Sequence, residues 1–407
     1  MKARAAAPAM LIALVVTACQ PASSPEVVVP PAGDILIGST LPVTGFQDGA
    51  PPIERAIRLA IDQHPRVGPF KLAYWSLDDA VSQAPFVDKA TQNVGRMIAE
   101  PRVVGIVGPY ISATAFGLIP IANQASMVMI SPTTTDACLT LAIPSCGSKA
   151  SALRPSAPNN FFRVAPPEPW QGRAMARFAA QKLGVQWVAA INERGVDGDR
   201  YIDSFAEELA RQGGGLVVRE NVDKATTNFT PFLAKVKASG ATAIYAVGGY
   251  RVCAARAQMT NLPGVWFLGT DNFTSEDCVK NALVNAADMY STYSETEPDY
   301  VANPEARKVV AAYRKAFPDV PVADYTFAAY DSARILIDAI ESVVKANHGA
   351  FPTRAQVLAA VANTSQFQGL TGTYSFDSNG DATSPMMSIY RVENGRWVYQ
   401  QRIEAGP

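Results

Sequence analysis

Histidine is almost missing from this chain. Only His64 and His348 occur in 407 residues, so a His-dependent catalytic triad lacks a plausible base and a His-bearing zinc site lacks ligands. The sequence has no G-x-S-x-G, no phosphate-binding glycine loop and no H-E-x-x-H, and an enzyme is not expected. No motif points to a cofactor, and none is expected. Charge of one sign is not in excess. The formal net charge is −1, which argues against nucleic acid as a partner. No apolar run in the body of the chain reaches the roughly 20 clean residues needed to span a bilayer. Adjacent carboxylates do occur, at Asp78-Asp79 and Glu207-Glu208. Adjacency alone is weak evidence of acid–base chemistry, and solvated helix faces or turn caps explain such pairs better.

What is present begins at the amino terminus. Lys2 and Arg4 precede a short apolar stretch, Pro8 to Val16, and no acid appears before Glu26. A charged segment followed by a short apolar one is the order of a secretory signal. Val16-Thr17-Ala18-Cys19 then resembles the bacterial lipobox. That resemblance implies cleavage after residue 18 and a lipid on Cys19, so the chain is expected on the periplasmic side, held to a membrane only through this anchor. Residues 20–33 are rich in Pro and small residues and read as a linker, extending roughly 40 Å at about 3.1 Å per residue.

Four further cysteines remain: Cys138, Cys146, Cys253 and Cys278. An even set in an oxidising compartment suggests two disulfides, with three pairings open. Cys138 with Cys146 closes a short loop, and Cys253 with Cys278 joins segments after two successive strands. That pairing is favoured. The spacings do not suit a metal.

From Ile35 onward short apolar runs alternate with amphipathic stretches. Strands are expected at Ile35–Leu41, Phe70–Leu77, Val103–Val107 and Met127–Ile130, with helices at Pro51–His64, Gln83–Ala99 and from about Ser112. Such a series implies an α/β fold with a parallel sheet and helices on both faces. The pattern lapses between Thr133 and Asn160, then restarts at Phe161. Helices at Gln171–Leu183 and Tyr201–Gln212 and strands at Trp187–Ile191, Leu216–Val222, Ala243–Val247 and Val265–Leu268 form a second similar unit. Helix candidates follow at Pro304–Phe317, Tyr325–Ala346 and Arg354–Ala362. The chain ends in alternating strands around Asn394-Gly395, a strong hairpin signal. A length of 407 residues exceeds one ordinary core, and two domains are expected.

In open parallel sheets ligands bind beyond the carboxyl ends of the strands, beside helix N-termini. The first such turn runs from Leu41 to Phe46. The second is Gly108-Pro109-Tyr110-Ile111-Ser112, where free N–H groups suit an anion. In the third, Ser131-Pro132-Thr133-Thr134-Thr135, clustered hydroxyls suit a carboxylate. In the second unit, Gly248-Gly249-Tyr250 and Gly269-Thr270-Asp271 place Tyr250 and Asp271 toward the cleft, where a carboxylate would pair with an ammonium. For each Ser or Thr the plainer reading is helix capping, and for Asp271 an N-cap of the helix after Thr274.

Taken in order, Ile37 to Gly45, Val107 to Ser112, Met129 to Thr135, Phe162-Arg163-Val164, Gly248-Gly249-Tyr250 and Gly269-Thr270-Asp271 carry a resemblance over residues 34–403. The chain resembles type I periplasmic solute-binding proteins of the branched-chain amino acid transporter group. The resemblance implies two Rossmann-like lobes, residues 34–162 with 292–372 and residues 163–291 with 373–407, joined by three crossings and closing on a small ligand. It implies that Ser112, Thr133 and Thr135 hold a carboxylate and that Tyr250 and Asp271 receive an amino group. Phe46, Tyr110, Trp170 and Asp197 complete the candidate binding set, Trp170 either lining the cleft or packing the hinge and Asp197 standing where the family commonly has an aromatic residue. The implied ligand is an amino acid or a related acid or amide, and the implied partner is an ABC permease. A sensor or envelope interaction protein on the same fold is the alternative.

Overall fold

The computed structural model describes residues 33–406 apart from 47–48, 82–83, 157, 295–303 and 384–385. The expected signal, Cys19 and the linker lie outside the described residues. Among the described residues no helix is long and apolar enough to cross a membrane.

The first half is built on one sheet. Its strands are β1 (Ile35–Leu41), β2 (Phe70–Asp78), β3 (Val103–Val107), β4 (Val128–Ser131) and β5 (Phe161–Arg163). They run parallel in the order β2-β1-β3-β4-β5, and Arg66–Val67 adds a short antiparallel edge beside β2. β1, β3 and β4 are buried at every position, as expected of strands covered on both faces. Helix α1 (Ala50–Gln63) starts on prolines and buries Ile53, Ala56, Ile57, Ala60 and Ile61 along one stripe. That spacing of three and four places them on a single face. Helices α2 (Val87–Ala99) and α3 (Ser112–Gln124) cover the opposite face through Val94, Met97, Leu118 and Ile119.

The second half repeats the plan. It has α4 (Glu168–Leu183), β6 (Trp187–Asn192), α5 (Val196–Arg211), β7 (Gly215–Asn221), α6 (Thr230–Ser239), β8 (Ala243–Val247), β9 (Trp266–Gly269), α7 (Glu276–Ala282) and β10 (Met289–Tyr293). After β10 the chain returns to the first half as α8 (Pro304–Ala316), α9 (Thr326–Ala346) and α10 (Arg354–Ala362). The core of the first sheet includes Val310, Ile335, Leu336, Ile340 and Val357 from these helices. The hairpin β11 (Met386–Glu393) and β12 (Arg396–Glu404) then closes the second sheet, in the order β7-β6-β8-β9-β10-β11-β12. Its first five strands are parallel and the hairpin antiparallel. The hairpin turn is the one expected: Asn394 and Gly395 both have positive φ, 50° and 75°, which suits a tight two-residue loop.

Several boundaries moved. The helix expected from Gln83 begins at Val87, because Ala84–Pro85 pairs with Ala80–Val81 as a small antiparallel ribbon. Between β8 and β9 the chain makes a pair of short helical turns, Tyr250–Cys253 and Ala254–Ala257. The two acidic pairs are not simply solvated. Asp79 is 2% exposed and accepts from the Thr40 hydroxyl at 3.1 Å, and burial pushes its carboxyl up to about 6. Glu208, also buried, is held by Arg177 at 2.9 Å and Arg211 at 3.0 Å. Both disulfides form in the favoured pairing, Cys138–Cys146 and Cys253–Cys278.

Candidate functional site

In each sheet the strand order reverses once: between β1 and β3 in the first, and between β6 and β8 in the second. At such a reversal the two flanking turns run to opposite faces and leave a crevice at the strand ends. The turns at the first reversal lead to Phe46 and to Gly108–Ser112. Those at the second are Glu193-Arg194-Gly195 and Gly248-Gly249-Tyr250. A cavity of about 640 Å³ lies among these strand ends and is lined from both halves of the chain.

The first half contributes an anion pole. Tyr110, Ile111, Ser112 and Ala113 line the cavity at the start of α3, whose first intrahelical donor is the Ala115 N–H, bonded to the Ile111 carbonyl. The N–H groups ahead of it lack intrahelical acceptors, as at every helix start. Ser112 and Thr135 add hydroxyls to the wall. The Ser112 oxygen accepts from the Asp136 N–H at 3.3 Å, and its own proton stays available. Thr133 also lines the cavity, but its hydroxyl is committed to the Tyr110 carbonyl at 2.6 Å. Its sequence role as a donor therefore passes to positioning the turn. Ser131 does similar work: it donates to the Pro109 carbonyl at 2.8 Å and accepts from Thr134.

The second half contributes a carboxylate, the cation pole. Asp271 lines the cavity, and its Oδ2 accepts from the Tyr325 hydroxyl at 2.9 Å. Its backbone N–H donates to Gln171 Oε1 at 3.1 Å. The cap of α7 is Ser275, which accepts from the Cys278 N–H, so the carboxylate of Asp271 is not spent as that cap. Tyr325 sits at φ 62° just before α9, a left-handed conformation that costs a bulky residue energy and recurs at binding sites. Its N–H donates to the Tyr293 hydroxyl at 3.1 Å.

A charge cluster lines the same cavity. Arg200, 3% exposed, meets Glu168 at 2.9 Å, Asp197 at 3.1 Å and Asp136 at 3.4 Å. Burial pushes the Glu168 carboxyl up to about 7, against the pull of Arg194 and with Asp136 adding to the push. The Ala137 N–H donates to Glu168 Oε2 at 3.4 Å. Close packing of α4 on α5 sets this geometry: a Cβ on Gly172 would fall 2.2 Å from Ser204 Oγ and 2.3 Å from the Tyr201 carbonyl oxygen.

The remaining candidates are placed as follows. Asp197 lines the cavity in the first turn of α5. Phe46 is exposed and does not line it, though its ring lies 5.8 Å from that of Tyr110. Tyr250 is exposed, beneath Arg251, and stands outside the cavity. Trp170 packs on the core of the second sheet and lines a separate small cavity with Val164, Ser294 and Thr371, outside the larger one. Sequence reading missed Asp136, Lys149, Glu168, Arg194, Arg200, Tyr201 and Tyr325, all of which line the cavity. For Arg194 a signal existed, since it follows the strand expected at Trp187–Ile191 and so stands at a strand's carboxyl end. Tyr325 comes from the far side of a crossing and carried none.

Comparison with known proteins agrees with this architecture. A family model described as a periplasmic binding protein matches residues 34–396. The Leu/Ile/Val-binding protein homolog 3 of Brucella melitensis is 23% identical over 374 residues, covering 90% of this chain and 93% of the relative. The Leu/Ile/Val-binding protein BraC3 of Rhizobium johnstonii is 23% identical over 385 residues, with coverage of 90% and 93%. A leucine-binding protein structure from Thermotoga maritima superposes with TM-score 0.71 at 23% identity, covering 91% of this chain and 99% of that one. A solute-binding protein from R. palustris in complex with 4-hydroxybenzoate gives TM-score 0.72 at 20% identity, with coverage of 92% and 98%. At these identities the structural likeness establishes a shared fold.

Proposed function

The chain belongs to the periplasmic binding protein family, and from that premise we propose that it is an exported receptor which closes on a small amino acid, or a related acid or amide, and delivers it to an ABC permease. The carrying observation is the cavity with its two poles. Unspent donors at the start of α3, with Ser112 and Thr135, form one set of lining groups, and Asp271 with Tyr325 forms the other. A carboxylate suits the first pole through helix-terminal N–H groups and hydroxyls. An ammonium suits the second. Ser112 and Thr135 belong to the first half and Asp271 to the second, with Tyr325 reaching Asp271 from the first half, so a ligand held by both sets favours the closed arrangement over the open one. The moving bodies in this reading are residues 34–162 with 292–372 and residues 163–291 with 373–407. Relatives named for Leu, Ile and Val binding, and a Desulfitobacterium hafniense structure in complex with Leu, support an amino acid. The 4-hydroxybenzoate complex supports the wider class of small carboxylates. Removal of residues 1–18 and lipidation of Cys19 would keep such a receptor near a membrane.

The test is mass spectrometry of what copurifies with the protein, followed by calorimetry with that compound. Ser112→Ala combined with Thr135→Ala removes two donors to a charged group, each worth about 1.5–3 kcal/mol, and should weaken binding more than a hundredfold. Unchanged affinity in the doubly substituted, folded protein would sink the site assignment.

A further inference from the structure

The cavity wall is rich in charge, with Lys149, Glu168, Arg194 and Arg200 beside Ile111 and Phe116, and this bears on which side chain the ligand carries. Burying an aliphatic side chain is favourable only against apolar surface, and charged groups shut away with it lose water without gaining a partner. The cations of this wall differ in how fully they are engaged. Arg200 is committed to the carboxylates of Glu168, Asp136 and Asp197. Arg194 has one ion pair, to Glu168 at 3.5 Å, and is 29% exposed. Its guanidinium lies 5.3 Å from the centre of the Tyr201 ring, and its backbone N–H is fixed by Asn192 Oδ1 at 2.8 Å. It stands in the turn after β6, at the strand reversal of the second sheet, and lines the cavity. A guanidinium has five donors in a planar fork that matches a carboxylate. Glu168 and a hydrogen bond with the Tyr201 side chain engage part of that fork, and Asp271 acts on it electrostatically; the donors left over are offered to a ligand. From the other half, Lys149 lines the same cavity and lies 6.0 Å from the Phe116 ring centre.

We propose that Arg194 determines specificity in this cleft by gripping a second, distal carboxylate or amide oxygen of the ligand, so that the ligand is an acidic or amide-bearing amino acid rather than an aliphatic one. This rests on the two-pole reading of the site. The ligand's α-carboxylate and ammonium occupy the poles, and its distal oxygens reach the fork of Arg194, with Lys149 adding positive charge from the opposite wall.

Calorimetry on the purified protein with L-glutamate, L-2-aminoadipate, L-glutamine, L-leucine, L-lysine and glutarate tests it. At least one of the first three should bind more tightly than leucine and lysine. Arg194→Gln should weaken that probe roughly ten- to hundredfold, the range for losing a hydrogen bond to a charged group, and Arg194→Lys should restore part of the loss. Circular dichroism checks that both variants fold. Preferred binding of leucine or lysine, or affinity unmoved by Arg194→Gln, overturns the role of Arg194 while leaving the two-pole site standing. Binding of glutarate with no amino acid bound refutes the cation pole, yet a loss of that binding in Arg194→Gln still supports the distal grip. Silence of every probe overturns both.

Discussion

Arg163 is the residue whose loss should be felt most widely. It is fully buried in β5, where the chain leaves the first sheet. Its Nε donates to Asp381 Oδ1 at 2.6 Å, and its Nη1 donates to the carbonyls of Asp136 at 2.8 Å and Thr134 at 3.2 Å. Its Nη2 donates to the Thr140 hydroxyl, which in turn donates to Asp381 Oδ2 at 2.8 Å. Arg163→Met keeps apolar bulk but leaves the Asp381 carboxylate, 2% exposed, without its cation. Removing one partner of a buried ion pair costs about 3–5 kcal/mol. Asp381→Asn in the same chain removes the stranded charge, leaving the unmatched carbonyls at about 1–3 kcal/mol each. The double variant should therefore be more stable than Arg163→Met alone. Urea unfolding followed by fluorescence and circular dichroism measures this, with coincident transitions checking the two-state assumption. A single-variant cost below about 1 kcal/mol, or a double variant no better than the single, would refute the reasoning. Ligand affinity should fall as well, since the carbonyls that Arg163 holds flank Thr135.

Tyr325→Phe removes the hydroxyl that orients Asp271 and should lower affinity for an ammonium-bearing ligand several-fold, as read by calorimetry. Glu168, raised by burial to about 7, binds more protons folded than unfolded, so its contribution is present at acid pH and is lost as pH rises toward 7. Glu168→Gln should flatten the dependence of Tm on pH between about 4.5 and 7, and an unchanged slope would count against that assignment. The Cys253–Cys278 disulfide spans 25 residues and Cys138–Cys146 spans 8. Chain entropy then assigns the first about 3.5 kcal/mol and the second about 2.5, so replacing the longer pair by serines should lower Tm more. Gly172→Leu should separate α4 from α5 and weaken both stability and binding, because the new side chain meets Ser204 and the Tyr201 backbone.

Much of the anion pole was legible in advance. Gly108–Ser112 and Ser131–Thr135 are local turns between an apolar strand and a periodic helix, and their hydroxyls announce themselves at fixed positions. The commitment of the Thr133 proton to the Tyr110 carbonyl was not legible, because it depends on how two turns approach one another. Tyr250 read as a cleft residue because it follows a strand, yet the short helical turn beginning there points it outward.

The alternation of short apolar strands with amphipathic helices was sufficient by itself to specify an α/β chain of two similar units. The cysteine positions favoured one of three disulfide pairings without excluding the others, and Asn394-Gly395 marked the hairpin, since that turn depends on contacts local in sequence. The cleft's chemistry depends on something else. Asp136, Glu168 and Arg200 meet only when α4 and α5 pack at Gly172 and the two halves come together. Asp271 meets Tyr325 across 54 positions. The strand reversal that brings Arg194 to the cavity is a property of the order of strands in the sheet, and no residue pattern along the chain encodes that order directly. Charges distant in sequence are fixed by tertiary packing, and for that reason the hydroxyl-bearing turns of the first half were visible early and the charged wall was not.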